Sequence, residues 1–158
     1  MPDHALRSMR REDRAVDDIE ARKILEKGEY GVLSTVGADG EPYGVPLSYV
    51  YREGDIHLHC ALEGRKIDNL KHHPQASFCV VASTRLEPEM FSTYYESAIV
   101  TGEVRELAGE EKLRSLMWLI QKYSPAFQEE GARYIESRED LTRVFALKVE
   151  NLSGKRRA

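Results

Sequence analysis

Cysteine and tryptophan are scarce in this chain: two of the first and one of the second in 158 residues. No apolar run approaches the roughly 20 residues that a membrane-spanning helix needs. Cys60 and Cys79 are too few for a disulfide framework and read as free thiols. The first residues are charged and contain no apolar stretch of the kind a secretory signal requires, so a cytoplasmic location is expected. Phosphate-cradling loops of the Walker type are missing, as is any Gly-x-Gly-x-x-Gly fingerprint. Ser34 lacks a Gly-x-Ser-x-Gly setting, which removes the serine hydrolases. A net charge of −4 argues against nucleic acid as the main partner. The basic runs Arg10-Arg11 and Gly154-Lys155-Arg156-Arg157 are short and terminal, where such runs are usually solvated ends. Internal repeats and low-complexity tracts are absent too.

What is present suits one compact domain. Apolar residues make up 41% of the chain, enough to build a core. Residues up to about 14 lack periodicity and read as an arm. Asp17-Asp18-Ile19-Glu20 opens a helix with acids in its first turn, and Gly28 follows its end. A strand is expected over 30–36, then turn chemistry at Gly37-Ala38-Asp39-Gly40. Its partner covers 43–51, with Pro42 just before it and Pro46 within it, which places it at a sheet edge or a bulge because proline donates nothing to the ladder. A further strand ends at Cys60, followed by a short helix over 65–72 that stops before Pro74. Strands over 75–82 and 94–107, helices over 110–123 and 129–136, and a strand over 142–149 complete the order. Residues 85–91 read as a loop, Gly102 as a bend or bulge, and 152–158 as a tail. Short strands joined mostly by tight turns predict an antiparallel barrel rather than a parallel sheet.

The stretch from Ile56 to Lys66 organises the rest. Ile56, Leu58 and Cys60 alternate with His57 and His59, the period of a half-buried strand. Gly64 then permits a tight backbone before Arg65 and Lys66. Two cations at a helix start oppose the helix dipole, and a bound anion would compensate them, so the stretch reads as a phosphate seat. His59, at the ligand-proximal end of the strand, is the candidate proton donor. A His-x-His pair with Cys60 nearby also suits zinc or copper, but nothing completes a known ligand spacing. Pro46-Leu47-Ser48-Tyr49 is either a kinked edge or a backbone shelf for a planar ring. Trp118, Tyr94, Tyr95 and Tyr123 are expected in the core or at an interface.

Taken together these stretches resemble one family. Met9-Arg10-Arg11 with Asp13-Arg14, Gly31-Val32-Leu33-Ser34, and Asp39-Gly40-Glu41-Pro42-Tyr43 come first. Val45-Pro46-Leu47-Ser48-Tyr49-Val50-Tyr51 and His59-Cys60-Ala61 with Gly64 and Lys66 follow. Ala76-Ser77-Phe78, Tyr94-Tyr95 with Ser97-Ala98-Ile99, Lys122-Tyr123-Ser124-Pro125 and Leu152-Ser153-Gly154-Lys155 complete the series. The chain resembles the flavin-binding split-barrel proteins related to pyridoxamine 5′-phosphate oxidase, and among them the Nim-type 5-nitroimidazole resistance proteins.

The resemblance implies a mainly β, six-stranded antiparallel split barrel with flanking helices. It also implies a single FMN-binding domain over 1–158 that works as a homodimer with FMN at the subunit interface. By position, Pro46, Leu47, Ser48 and Tyr49 together with His59, Cys60 and Ala61 would border the flavin ring. Arg65 and Lys66 would face its phosphate, and Ser97 would come from the strand beside the dimer groove. Members of the family often carry histidine at the position of Arg65, which puts the weight of the phosphate role on Lys66. The expected function is a flavin-dependent oxidoreductase acting on a small acceptor such as a nitroimidazole. The alternative is a non-enzymatic flavin or haem binder used for storage, sensing or stress protection. Pyridoxamine phosphate oxidation is less expected, because no second cation cluster is present to hold a second phosphate.

Overall fold

The computed structural model describes residues 7–158 and contains one nine-stranded sheet with four α-helices. The strands are β1 (Ala15–Val16), β2 (Gly31–Val36), β3 (Pro42–Leu47), β4 (Val50–Arg52) and β5 (Asp55–Cys60). They continue as β6 (Gln75–Glu87), β7 (Ser92–Leu107), β8 (Arg143–Lys148) and β9 (Asn151–Arg157). The helices are α1 (Asp18–Lys27), α2 (Arg65–His72), α3 (Gly109–Tyr123) and α4 (Gln128–Arg138). All pairings are antiparallel, in the order β3-β2-β6-β7-β8-β5-β4, with β9 joined to β7 and β1 to β9. The sheet curls around a core without closing, which makes it a split barrel. No helix among the described residues is long and apolar enough to cross a membrane.

The strand expected over 43–51 breaks at Ser48-Tyr49 into β3 and β4, the other five expected strands are β2, β5, β6, β7 and β8, and β1 and β9 are additional. Residues 152–158, expected as a tail, lie almost wholly in β9, which pairs with β7 from Tyr95 to Thr101. The run Gly154-Lys155-Arg156-Arg157 is not a solvated end: it is a strand, and Arg156 is paired across the fold. Arg156 reaches Glu20 at 3.0 Å and Glu96 at 3.1 Å. The expected arm is partly ordered, with a 3-10 turn over Glu12–Arg14 leading into β1; its residues 1–6 lie outside the described residues. The loop expected over 85–91 is also shorter. β6 runs to Glu87, and only Pro88–Met90 form the turn, closed by Phe91 at φ 49°. Arg85 and Tyr94 are direct partners across that hairpin, with the guanidinium 4.7 Å from the ring centroid.

Helix starts and bends follow local chemistry. The Asp17 carboxylate accepts the Glu20 amide at 2.9 Å and caps α1. β3 carries both prolines and pairs with β2 alone, so it is the edge strand its prolines demand. At Gly102, β7 changes partners from β9 to β8, and a Cβ there would lie 1.8 Å from the Lys148 carbonyl oxygen. Only glycine lets the two chains approach so closely.

Two apolar clusters result. Inside the barrel, Ile56, Leu58 and Cys60 of β5 pack with Leu33, Phe78, Val100 and Leu147. On the other face of β5 and β8, α3 and α4 build a second cluster from Leu116, Trp118, Leu119, Ile135 and Val144. Both faces of β5 are therefore covered for most of its length.

Candidate functional site

His57 and His59 project from the same face of β5, toward the two helices. Trp118 covers His57, with ring centroids 5.0 Å apart and planes at 72°. Its Nε2 lies 3.2 Å from the Arg52 carbonyl, which can only accept, so Nε2 carries the proton. Nδ1 then accepts from the Ser115 hydroxyl at 2.8 Å. Burial holds the proton affinity of His57 below the usual histidine range. Both ring nitrogens are engaged, so His57 has none left for a metal. Among the described residues no group of three or more His, Cys, Asp or Glu side chains is placed to hold one.

His59 differs. Its side chain meets solvent on one side and protein on the other, and no described residue hydrogen-bonds its ring. Surrounding protein lowers its proton affinity, and the nearby Lys66 charge lowers it further, so the imidazole is neutral at pH 7. The same lysine opposes the rise that burial causes in the Cys60 thiol. His59, Cys60 and Lys66 are thus brought together, although the Cys60 side chain points into the barrel core.

Lys66 stands on the first turn of α2, just after Gly64 at φ 153°. A Cβ at Gly64 would meet nothing within 4 Å, so glycine is needed there for its backbone and not for space. The Asn69 amide donates to Thr35 Oγ1 at 3.0 Å and fixes α2 against β2. The two cations at this helix start part company. Arg65 turns to the Glu41 carboxylate at 3.2 Å and stacks 4.5 Å from the Tyr43 ring centroid. Lys66 forms no ion pair among the described residues, beside helix amides that lack intrahelical acceptors.

Residues 46–49 form a more fixed shelf than an irregular edge implies. Pro46 and Leu47 pair in register with Val32 and Gly31. Leu47 packs on the core, while Pro46 and Ser48 are exposed. The Tyr49 ring is fully buried, edge-on to Phe78 at 5.0 Å, and its hydroxyl donates to the Leu25 carbonyl. Its backbone is also engaged: the amide donates to the Tyr123 hydroxyl at 3.0 Å, and Lys122 Nζ donates to the carbonyl at 2.8 Å. The amides and carbonyls expected to be free for a ligand are, at Tyr49, taken by the end of α3. Tyr123 donates in turn to the Glu29 carbonyl, and burial pushes the Lys122 ammonium down to about 8.

Ser97 does not join His59 and Lys66 within one chain. It lies on the outer face of the sheet, opposite Val81 and Lys155. One row across that face reads Pro46, Val32, Cys79, Ile99, Ser153 in register. Val32, Val81 and Ile99 are 36%, 50% and 46% exposed, an apolar strip on an otherwise small polar surface. Ala61 is exposed in the loop after β5.

The sequence reading missed a cavity of about 100 Å³ that begins at His59 and runs between α3 and α4. Leu116, Leu119 and Ile135 are its buried walls, and Tyr134, Arg138 and Thr142 border it nearer the surface. One signal was available. Gly131, inside α4, lets that helix lie on Ile120, whose Cγ2 would be 2.4 Å from a Cβ there.

The comparisons with known proteins agree with this architecture. A profile of the family described as pyridoxamine 5′-phosphate oxidase matches residues 17–156. The chain belongs to that family. No curated protein matches it. Among solved structures, a candidate 5-nitroimidazole antibiotic resistance protein from Bacteroides thetaiotaomicron superposes with a TM-score of 0.72 at 22% identity, covering 89% of this chain and 85% of that one. An FAD and haem binding protein from Mycobacterium smegmatis gives 0.77 at 20%, covering 92% and 73%. A flavocytochrome from Azotobacter vinelandii gives 0.77 at 19%, covering 96% and 72%. At such identities the likeness is one of fold, shared across the pyridoxamine 5′-phosphate oxidase family.

Proposed function

We propose that this chain binds FMN as a homodimer and acts as an oxidoreductase on a small acceptor, such as a nitroimidazole or another nitroaromatic. The observation that carries this reading is Lys66, a cation without an ion pair among the described residues, standing beside His59 and the open amides of α2. A phosphate fits that place, because it needs positive charge and N–H donors without a competing carboxylate. Arg65 is a weaker partner, since Glu41 already holds it. The exposed edge at Pro46 and Ser48, stiffened by Lys122 and Tyr123, supplies a shelf for a planar ring. The apolar strip of Val32, Val81 and Ile99 suits a second copy, which would bring Ser97 to the groove.

Bound flavin would supply the relay of electrons from a nicotinamide-class donor to the acceptor. Reduction of a nitro group to nitroso takes two electrons and two protons and releases water. His59, uncommitted to any protein partner, would donate at the acceptor once protonated. The names of the superposing proteins, which include flavin, FAD and haem binders, support the binding half of this reading. A cytoplasmic setting fits two free thiols.

A haem or flavin binder without turnover is the second reading, favoured by a neutral His59 whose ring nitrogens are open to a ligand. In the absorption spectrum of the purified protein a Soret band would support the haem form of the second reading, whereas flavin bands fit both readings and leave turnover to separate them. Anaerobic addition of a nicotinamide donor and a nitroimidazole then tests turnover. His59→Ala is expected to bind FMN as the parent does and to turn over at least tenfold more slowly; unchanged turnover would remove His59 from the chemistry.

A further inference from the structure

The cavity between α3 and α4 has a composition unlike the phosphate seat beside it. Its deep walls are aliphatic, from Leu116, Leu119 and Ile135, each 7–8% exposed. Such walls carry no hydrogen-bonding groups and hold water poorly. Its volume, about 100 Å³, falls somewhat below that of a cavity known to accommodate benzene, about 150 Å³, and its solvent side leaves room for a substituent. Polar side chains stand nearer the surface: His59 on one element and Arg138 on another. Arg138 enters no ion pair among the described residues, and its guanidinium lies 5.7 Å from the Tyr134 ring centroid. His59 also lies within the influence of Lys66. His59 lines the apolar cavity from the end of β5, the strand whose following loop leads to the cationic start of α2.

We infer that this cavity is the acceptor site and that it selects single-ring aromatic monoanions, with the ring among Leu116, Leu119 and Ile135 and the acid group on Arg138. The inference rests on the flavin reading for the word acceptor, but not for the binding itself. A slot this small excludes fused rings, and a single planar ring seats one edge among the aliphatic walls with the other edge at the open side, beside Tyr134 and Thr142. An unpaired guanidinium fork suits a carboxylate, which it meets through two parallel hydrogen bonds. His59, at the boundary of the two places, then borders the ring edge from which a nitro group would project.

Calorimetric titration of the full chain with 4-nitrobenzoate and with its uncharged counterpart 4-nitrobenzyl alcohol tests this, with FMN titrated in parallel. The acid is expected to bind at least tenfold more tightly than the alcohol. Arg138→Gln, an exposed change that spares the fold, should erase that preference while leaving alcohol binding in place. Thr142→Phe should fill the cavity and abolish binding of both compounds. Neither substitution should move FMN affinity. Saturable binding of the acid that is indifferent to both substitutions would overturn the inference, as would no binding of the acid to protein that takes up FMN. Binding of the acid to protein that refuses FMN would leave the aromatic site standing and remove the flavin reading instead.

Discussion

The two ends of one strand face on β5 make an instructive pair. His57 and His59 are two residues apart, carry the same side chain and point the same way. Over His57, α3 lays Trp118 and Ser115, and both ring nitrogens are used. Over His59, α3 and α4 leave a cavity, and no described residue hydrogen-bonds the ring. The sequence pattern is the same at both; the cover above the strand makes one histidine part of the core and leaves the other ring without a protein partner.

The largest expected effect breaks that pair directly. His57→Ala removes two hydrogen bonds and a ring packed on Trp118, and should cost about 3 kcal/mol in urea unfolding. His59→Ala should cost below about 0.5 kcal/mol, as for a partly exposed side chain without partners. Equal costs would show that the two covers are equivalent.

Acid sharpens the contrast. Both histidines have a proton affinity lowered by folding, so each favours the native state fully above the unfolded value near 6.5. That contribution is lost as pH falls below about 6.5 toward the folded values, by at most about 1.4 kcal/mol per pH unit for each group. Unfolding measured across this window should show stability dropping with acid, and His57→Ala should flatten the drop.

A second pair, Arg65 and Lys66, extends the comparison to α2. Lys66→Ala should weaken FMN binding roughly tenfold, about 1.4 kcal/mol. It should also raise the midpoint of the His59 imidazole in an NMR titration, because the lysine charge now holds it down. The smallest effect belongs to Arg65→Ala, whose ion pair with Glu41 is exposed; FMN affinity should change about twofold or less. A larger loss with Arg65 than with Lys66 would reverse their assignment.

Much of this architecture was legible in residue order. The period-2 pattern over residues 56–60, the prolines of β3 and the acids opening α1 each carry a local cause, and each element formed where that cause placed it. The bounds of α2 were readable because Gly64 and Pro74 flank it. What stayed hidden depended on partners far away in the chain. β9 was read as a tail because its basic run is short and terminal, and the partners of Arg156, Glu20 and Glu96, are not connected to it by sequence spacing. Tyr49 was read as shelf surface, whereas its ring is drawn inward by the Leu25 carbonyl and Phe78. The cavity lies between α3 and α4, which come together only in the fold, and its trace in the sequence is Gly131.

The last turn of α3 has a mechanical consequence. Tyr123 and Lys122 bolt it to the backbone at Glu29 and Tyr49, on two separate parts of the barrel. The later helix rests on its neighbour chiefly through side-chain packing at Gly131 and Ile120. Of the two helices around the crevice, the first is therefore tied to the barrel backbone, and the second is held to the first by packing and by the Lys112 Nζ bond to the Glu139 carbonyl at 2.8 Å. Amide exchange should be slow along the first and faster along the second.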